Sequence, residues 1–362
     1  MRALAVVLML QGHTFHALLA PEFRSMDSFV YSFWHSVRGY TAPIFMFTAG
    51  TVFSYLLYKS GPINLSNSRV KKGLIRASIL LLIAYFLRFP TFKVSQLGNI
   101  SERQWNIFYS VDVLHLIAVG LVSIILISSI TQRIKLNTLF TFGAVAIVVF
   151  GLSFYVNALN WHAFLPDFLA AYFTKNNGSL FPLFPWIGYI FAGAAFGFYL
   201  SNSFTLEKKK ITRIVLLASI LLFACSFLFR FLNYYVFDAG ISWINSFSLS
   251  LWRLAIVLML NSFAIYLFRK LDKLPKIVSL YGKHSLLIYI IHLIAIYGSA
   301  VVAGLSYIYG NSLTVFECLL VLIILNVCMI FMCYLIDFMS QKKHVISNFL
   351  NIIYRKMLPG VK

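Results

Sequence analysis

Acidic residues and cysteines are scarce in this chain, which has ten Asp and Glu and four Cys among 362 residues. Only 11% of residues are charged, whereas about a quarter are charged in soluble domains, so a water-soluble globular fold is excluded. The cysteines lie in apolar stretches without His or Cys at ligand spacing, so we predict neither a disulfide set nor a metal site. They are Cys225, Cys318, Cys328 and Cys333.

Apolar residues dominate instead, at 60% of the chain with a mean hydropathy of +0.85. This composition indicates an all-α polytopic membrane protein, a transmembrane helical bundle. Ten stretches are long enough to cross the hydrocarbon core, at about 20 residues each. They cover residues 1–20, 37–58, 73–90, 108–130, 137–156, 181–201, 212–234, 247–268, 279–302 and 313–338.

Basic residues follow every even-numbered span and the N-terminus, which together hold 21 of the 30 Lys and Arg. The positive-inside rule makes that side cytoplasmic and places both termini there. We therefore predict a transmembrane domain over 1–340 and a basic cytoplasmic tail over 341–362, in the cell (inner) membrane. Because the charge is divided among loops, it predicts contact with anionic lipid headgroups of the bilayer and no nucleic-acid partner.

Two polar residues interrupt the first span. Arg2 and His13 are eleven residues apart, so a helix would place both on one face, about 16 Å from each other. Arg2 would then mark a membrane surface and His13 the membrane interior, where ionisable groups are costly and are often functional. The alternative is that His13 only hydrogen-bonds a neighbouring helix.

Two further spans carry histidines. Asp112 and His115 are three residues apart, so one helix face can hold both, and a carboxylate beside an imidazole raises its basicity. The alternative is that Asp112 holds an arginine such as Arg38. In the ninth span, Ser285 and His292 lie seven residues apart and share a face. These residues suit general-base chemistry.

Arginines near the outward ends of four spans predict a polar extracytoplasmic vestibule, although snorkelling to the interface explains any one of them. They are Arg38, Arg88, Arg230 and Arg253.

The sixth span begins with two prolines and contains a pair of small residues. Pro182 and Pro185 suit a helix entry. Trp186 and Tyr189 are predicted at the outer interface, as belt residues. Gly193 and a second glycine four residues later allow close approach of another helix.

Three segments resemble the bacterial relatives of heparan-alpha-glucosaminide N-acetyltransferase, in the transmembrane acyltransferase superfamily. They are Arg2-Ala-Leu-Ala-Val-Val-Leu-Met-Leu-Gln-Gly-His13, Phe181-Pro-Leu-Phe-Pro-Trp-Ile-Gly-Tyr-Ile-Phe-Ala-Gly193 and Gly282-Lys-His-Ser-Leu-Leu-Ile-Tyr-Ile-Ile-His292. Their order spans nearly the whole chain. The chain departs from the family at Ala3, where a glycine is usual, and His35 is the candidate for the family's second histidine.

The resemblance implies transfer of an acyl group from cytoplasmic acetyl-CoA, or another acyl-CoA, to the amine or hydroxyl of a carbohydrate or glycolipid at the far face. A thioester reaction needs a general base or an acyl-accepting nucleophile, either of which suits His13. Arg2 suits a CoA phosphate. The catalytic candidates are His13, His35, Asp112 and His292, and the acceptor-binding candidates are Arg38, His115, Trp186 and Arg253.

Two other functions fit the same composition. One is a transporter or flippase of a small glycan or lipid-linked precursor, although the sequence shows no interrupted helix pair of the kind that many transporters have. The other is a non-catalytic membrane scaffold. The sequence leaves open the acceptor, the acyl chain length and the oligomeric state.

Overall fold

The computed structural model describes residues 1–91, 94–175, 178–203, 207–236, 242–269, 271, 273–299 and 302–357. Helices make up 80% of the structure, and the described residues form no β-strand, which confirms the all-α prediction. The α-helices are α1 (Arg2–Leu18), α2 (Phe29–Arg38), α3 (Thr41–Tyr58), α4 (Ser68–Leu87), α5 (Glu102–Tyr109), α6 (Val113–Arg133), α7 (Thr138–Ala158), α8 (Asp167–Ala170), α9 (Leu183–Asn202), α10 (Lys208–Tyr235), α11 (Ser242–Arg269), α12 (Lys276–Lys283), α13 (Ser285–Tyr297), α14 (Leu305–Tyr309) and α15 (Val315–Met357).

Within the part of the chain that the structure describes, seven helical segments are long and apolar enough to cross a membrane, so the chain is a multi-pass membrane protein. An eighth crossing exists if α12 and α13 count as one span. The two other predicted spans fall on α1, which has only 17 residues, and on α4, whose first half is basic. The predicted count of ten therefore stays a prediction, as does the boundary of the tail, whose last residues (358–362) lie outside the described residues.

The ninth predicted span, over 279–302, contains a sharp bend. Helices α12 and α13 meet at His284 with a bend of 75°. Gly282 lowers helix propensity just before the break. Gly298, with φ of +83°, ends α13 in a conformation that favours glycine.

The helices group into two units, each packed around its own apolar interior. Unit 1 comprises residues 1, 33–272 and 299–302, and unit 2 comprises residues 2–32, 273–298 and 303–362. In unit 1, helices α3 and α9 pack through glycines. A Cβ atom on Gly193 would lie 2.1 Å from the carbonyl oxygen of Phe47, and one on Gly197 would lie 2.2 Å from that of Thr51. The predicted small-residue contact is confirmed.

Unit 2 is built around α1, which packs against α12, α13, α14 and α15. One apolar cluster contains Val6, Leu280 and Cys333. A second cluster, further along α1, contains Leu18, Ile296 and Cys318. These two clusters pack against α1 on either side of His13.

Candidate active site

The predicted site residues fall into two groups, one in each unit. Arg2, His13 and His292 belong to unit 2. The remaining predicted residues belong to unit 1, and they are His35, Arg38, Asp112, His115, Trp186 and Arg253.

Helix α1 brings His13 against helix α13 in unit 2. The imidazole rings of His13 and His292 lie 5.3 Å apart, centroid to centroid, with their planes tilted by 51°. Nδ1 of His13 lies 3.0 Å from the hydroxyl oxygen of Tyr297, and the two rings meet edge to face at 5.6 Å. The structure thus assembles two histidines and a tyrosine from segments far apart in the sequence.

His292 is fully buried, and the main chain fixes its tautomer. Its Nδ1 lies 2.8 Å from the carbonyl oxygen of Ile288. Because a carbonyl only accepts hydrogen bonds, Nδ1 carries the proton. Nε2 is then left with a lone pair, and this atom is buried without a hydrogen-bond partner among the described residues. The sequence predicted His292 but gave no signal for Tyr297, which reaches His13 only because α13 ends beside it.

Arg2 lies next to the end of α12. A Cβ atom on Gly282 would be 3.9 Å from the Cβ of Arg2. Helix α12 also carries Lys276 and Lys283, whose ammonium groups each lie 3.3 Å from a carboxylate oxygen of Asp337. Arg2 at the start of α1 and Lys283 at the end of α12 therefore lie at adjoining helix ends, and Asp337 pairs with both lysines of α12.

Asp112 precedes α6 in unit 1, and both oxygens of its carboxylate have partners. Oδ1 accepts from the Leu114 N–H at 2.9 Å and lies 3.1 Å from Nδ1 of His115. Oδ2 lies 3.4 Å from Nε of Arg88, which also donates to Ser110. The predicted pairing of Asp112 with His115 is confirmed. The arginine that Asp112 holds is Arg88 and not Arg38.

Two tyrosines surround His115. The Tyr85 ring meets the imidazole edge to face at 4.5 Å, and the Tyr172 ring lies at 6.3 Å. The two hydroxyl oxygens are 3.2 Å apart. Burial raises the pKa of Tyr172, so its hydroxyl stays protonated at neutral pH. His115 is fully buried.

Arg253 stacks on Trp186, with its guanidinium carbon 5.6 Å from the centre of the indole ring. The arginine also lies near Gly39, where a Cβ atom would come within 3.8 Å of Nη2. Trp186 is partly exposed. Tyr189 is fully buried against Phe150, at 5.0 Å between ring centres, so its prediction as an interface belt residue is wrong.

The last two predicted residues lie on α2. His35 is exposed, and its predicted catalytic role gains no support from its position. The Arg38 guanidinium lies over the ring of Trp34, 5.2 Å from its centre. This stacking contact fits the snorkelling explanation of Arg38 as well as a binding role.

A comparison with protein families finds a match over the first part of the chain. The model for the catalytic region of heparan-alpha-glucosaminide N-acetyltransferase matches residues 1–225, more than half of the chain. The match includes His13, Asp112 and Trp186 but ends before Arg253 and His292. No curated protein and no solved structure matches the chain.

Proposed function

The chain belongs to the heparan-alpha-glucosaminide N-acetyltransferase family, and we propose that it moves an acetyl group from cytoplasmic acetyl-CoA, or another acyl-CoA, to a sugar amine or hydroxyl at the opposite membrane face. Membership implies acyltransferase activity in a multi-pass membrane protein. The donor, the acceptor and the cell membrane as location are parts of the proposal. The observation that carries it is the contact between His13 and His292.

The two histidines suit acyl transfer. The acceptor nitrogen or oxygen forms a bond to the thioester carbonyl carbon, the carbon–sulfur bond breaks, and the acceptor proton passes to an imidazole and then to the CoA thiolate. The buried Nε2 of His292 has a lone pair for that proton. His13, next to it, serves either as the base or as the group that first accepts the acyl group.

The basic residues of α1 and α12 support a donor site. We propose that Arg2 binds a CoA phosphate, which a guanidinium holds in fork geometry. Lys276 and Lys283 add positive charge, of which Asp337 neutralises part.

The acceptor is assigned to the residues of unit 1. The indole face of Trp186 suits the apolar face of a sugar ring, and the guanidinium of Arg253 has N–H groups for its hydroxyls. Arg38 is a third candidate for this role. Because three neighbours occupy the Asp112 carboxylate, we propose that Asp112 positions His115 rather than contacting the reacting atoms.

One observation favours a transporter as the second candidate. The α12–α13 pair is bent by 75°, and broken helices form substrate sites in many transporters. Uptake of labelled sugar into proteoliposomes, measured without acyl donor, separates the two functions. Donor-independent uptake would favour transport.

The enzyme assay follows a labelled acetyl group from acetyl-CoA to glucosamine with purified protein in lipid nanodiscs. Replacing the catalytic imidazole (His13→Ala) should lower the transfer rate on the order of 10²-fold or more, while calorimetric CoA binding persists. The matched control is His16→Ala, since His16 is an exposed histidine on the same helix. Full transfer activity in the His13→Ala protein would end the proposed mechanism.

A further inference from the structure

The Asp112–His115 pair in unit 1 has a feature that acyl transfer at His13 does not use. His115 is fully buried, and its Nε2 has no hydrogen-bond partner among the described residues. Buried polar atoms are seldom left without a partner in folded proteins. An unpartnered nitrogen between aromatic rings is therefore an atom whose hydrogen bond a ligand could supply.

Two neighbours compete for the other nitrogen of this ring. The backbone N–H of Asp112 lies 3.2 Å from Nδ1 and requires a lone pair there. The carboxylate of Asp112 lies 3.1 Å away and requires a proton. A hydrogen bond to a charged group is about twice as strong as a neutral one, so the proton stays on Nδ1. Nε2 then carries the lone pair and accepts a hydrogen bond.

The groups around the ring set the chemistry of the ligand. Tyr85 and Tyr172 add ring surfaces and two hydroxyl groups. One hydroxyl donates its proton to the other, so the proton of the second hydroxyl can be donated to a ligand. The charges of Arg88 and Asp112 offset each other. This arrangement lacks the excess positive charge that a phosphate requires and instead suits a neutral or amine-bearing molecule with several hydroxyls.

We propose that His115 Nε2 is an anchor of the acceptor sugar, accepting a hydrogen bond from a sugar hydroxyl or amine beside Tyr85 and Tyr172. The identification of this sugar as the acceptor rests on the proposed acetyltransferase function. The binding itself is measured without donor and does not depend on that function.

The test is equilibrium binding of glucosamine to the full chain in lipid nanodiscs, which avoids detergents with sugar headgroups. Two substitutions separate the two ring nitrogens. In His115→Asn, the amide nitrogen replaces Nδ1 and retains the contact with Asp112, but nothing replaces Nε2. In His115→Gln, the amide takes the place of Nε2.

We expect His115→Asn to weaken glucosamine binding roughly 3- to 10-fold or more, as loss of a hydrogen bond does, and His115→Gln to retain more of the affinity. Tyr172→Phe should also weaken binding and tests the same site if His115→Asn does not fold. His162→Asn is the control, because His162 pairs with an aspartate of its own, Asp167, in unit 1.

Three outcomes would overturn the anchor. The first is that the unmodified chain does not bind glucosamine, and the second is that His115→Asn and Tyr172→Phe bind it as tightly as the unmodified chain does. The third is that His162→Asn loses as much affinity as His115→Asn. The function and the anchor fail separately. If His13→Ala retains full transfer but His115→Asn loses glucosamine binding, the anchor stands and the transfer mechanism does not. If transfer requires His13 while the substitutions at His115 and Tyr172 leave the sugar affinity unchanged, the transfer mechanism stands and the anchor does not.

Discussion

At position 297, a single hydroxyl group orients the imidazole of His13. Tyr297 lies at the end of α13, and its oxygen is 3.0 Å from Nδ1 of His13. We therefore infer that Tyr297 is a positioning residue for the His13 imidazole.

Removal of that hydroxyl should affect turnover more than donor binding. For Tyr297→Phe we expect kcat to fall about 3- to 10-fold, the effect of one neutral hydrogen bond, with the KM for acetyl-CoA nearly unchanged. Steady-state kinetics over a range of acetyl-CoA concentrations measures both. Tyr309→Phe removes a hydroxyl from an exposed tyrosine of the same unit and should change neither. A rise in KM with unchanged kcat would place Tyr297 in donor binding instead.

Arg2 should behave in the opposite way, since its proposed contact is with the donor phosphates. We expect Arg2→Ala to weaken CoA binding roughly 10-fold or more, as loss of a charged hydrogen bond does. Arg2→Lys should restore the affinity only in part, because an ammonium does not reproduce the guanidinium fork. Calorimetric titration with CoA measures the effect. Lys59→Ala, at an exposed lysine, is the control, and an equal loss there would reduce the role of Arg2 to general positive charge.

At the scale of the helix, the contact of α3 with α9 depends on the absence of side chains. A Cβ atom on Gly193 would lie 2.1 Å from a backbone oxygen of α3, and backbone atoms cannot move aside as a flexible side chain does. Gly143 on α7 has open space around the same position. These two glycines allow the same substitution to be compared in a tight and in an open environment.

We expect Gly193→Ala to destabilise the fold by about 1–3 kcal/mol through overpacking. Gly143→Ala should be neutral or slightly stabilising, because alanine favours the helix over glycine by about 1 kcal/mol. Thermal unfolding and the yield of monodisperse protein measure the difference. Equal stability of the two variants would mean that α3 and α9 do not pack as closely as described.

The helices were largely predictable, but their contacts were not. Apolar runs mark most spans because the bilayer requires about 20 apolar residues for each crossing. The bend at His284 escaped prediction because no proline marks the junction of α12 and α13. The pairing of Asp112 with His115 was predictable because the two residues are three positions apart. The contacts of Arg88 with Asp112 and of Tyr297 with His13 were not predictable, since each joins segments that only the tertiary fold brings together.

At the scale of the whole molecule, the number of crossings depends on α1, α4 and the bent pair α12–α13. The family and the seven apolar helices establish a multi-pass protein. Basic residues after every even-numbered span still favour ten crossings with both termini in the cytoplasm. In that topology, α4 crosses the membrane even though its first half is basic, because those charges lie in the cytoplasmic interface.

Single cysteines at exposed positions test α1 and α4, in a chain that lacks its four native cysteines. If α4 crosses, labels at Lys72 and Arg103 should react from opposite sides of the membrane, with position 72 cytoplasmic. If α1 crosses, Leu4 and Met26 should also differ, with position 4 cytoplasmic. A membrane-impermeant maleimide applied to intact and to opened cells gives the side of each label, and Lys209 serves as the cytoplasmic reference. Because each crossing reverses the side of everything beyond it, finding positions 72 and 103 on the same side would remove α4 from the spans and end the ten-span topology.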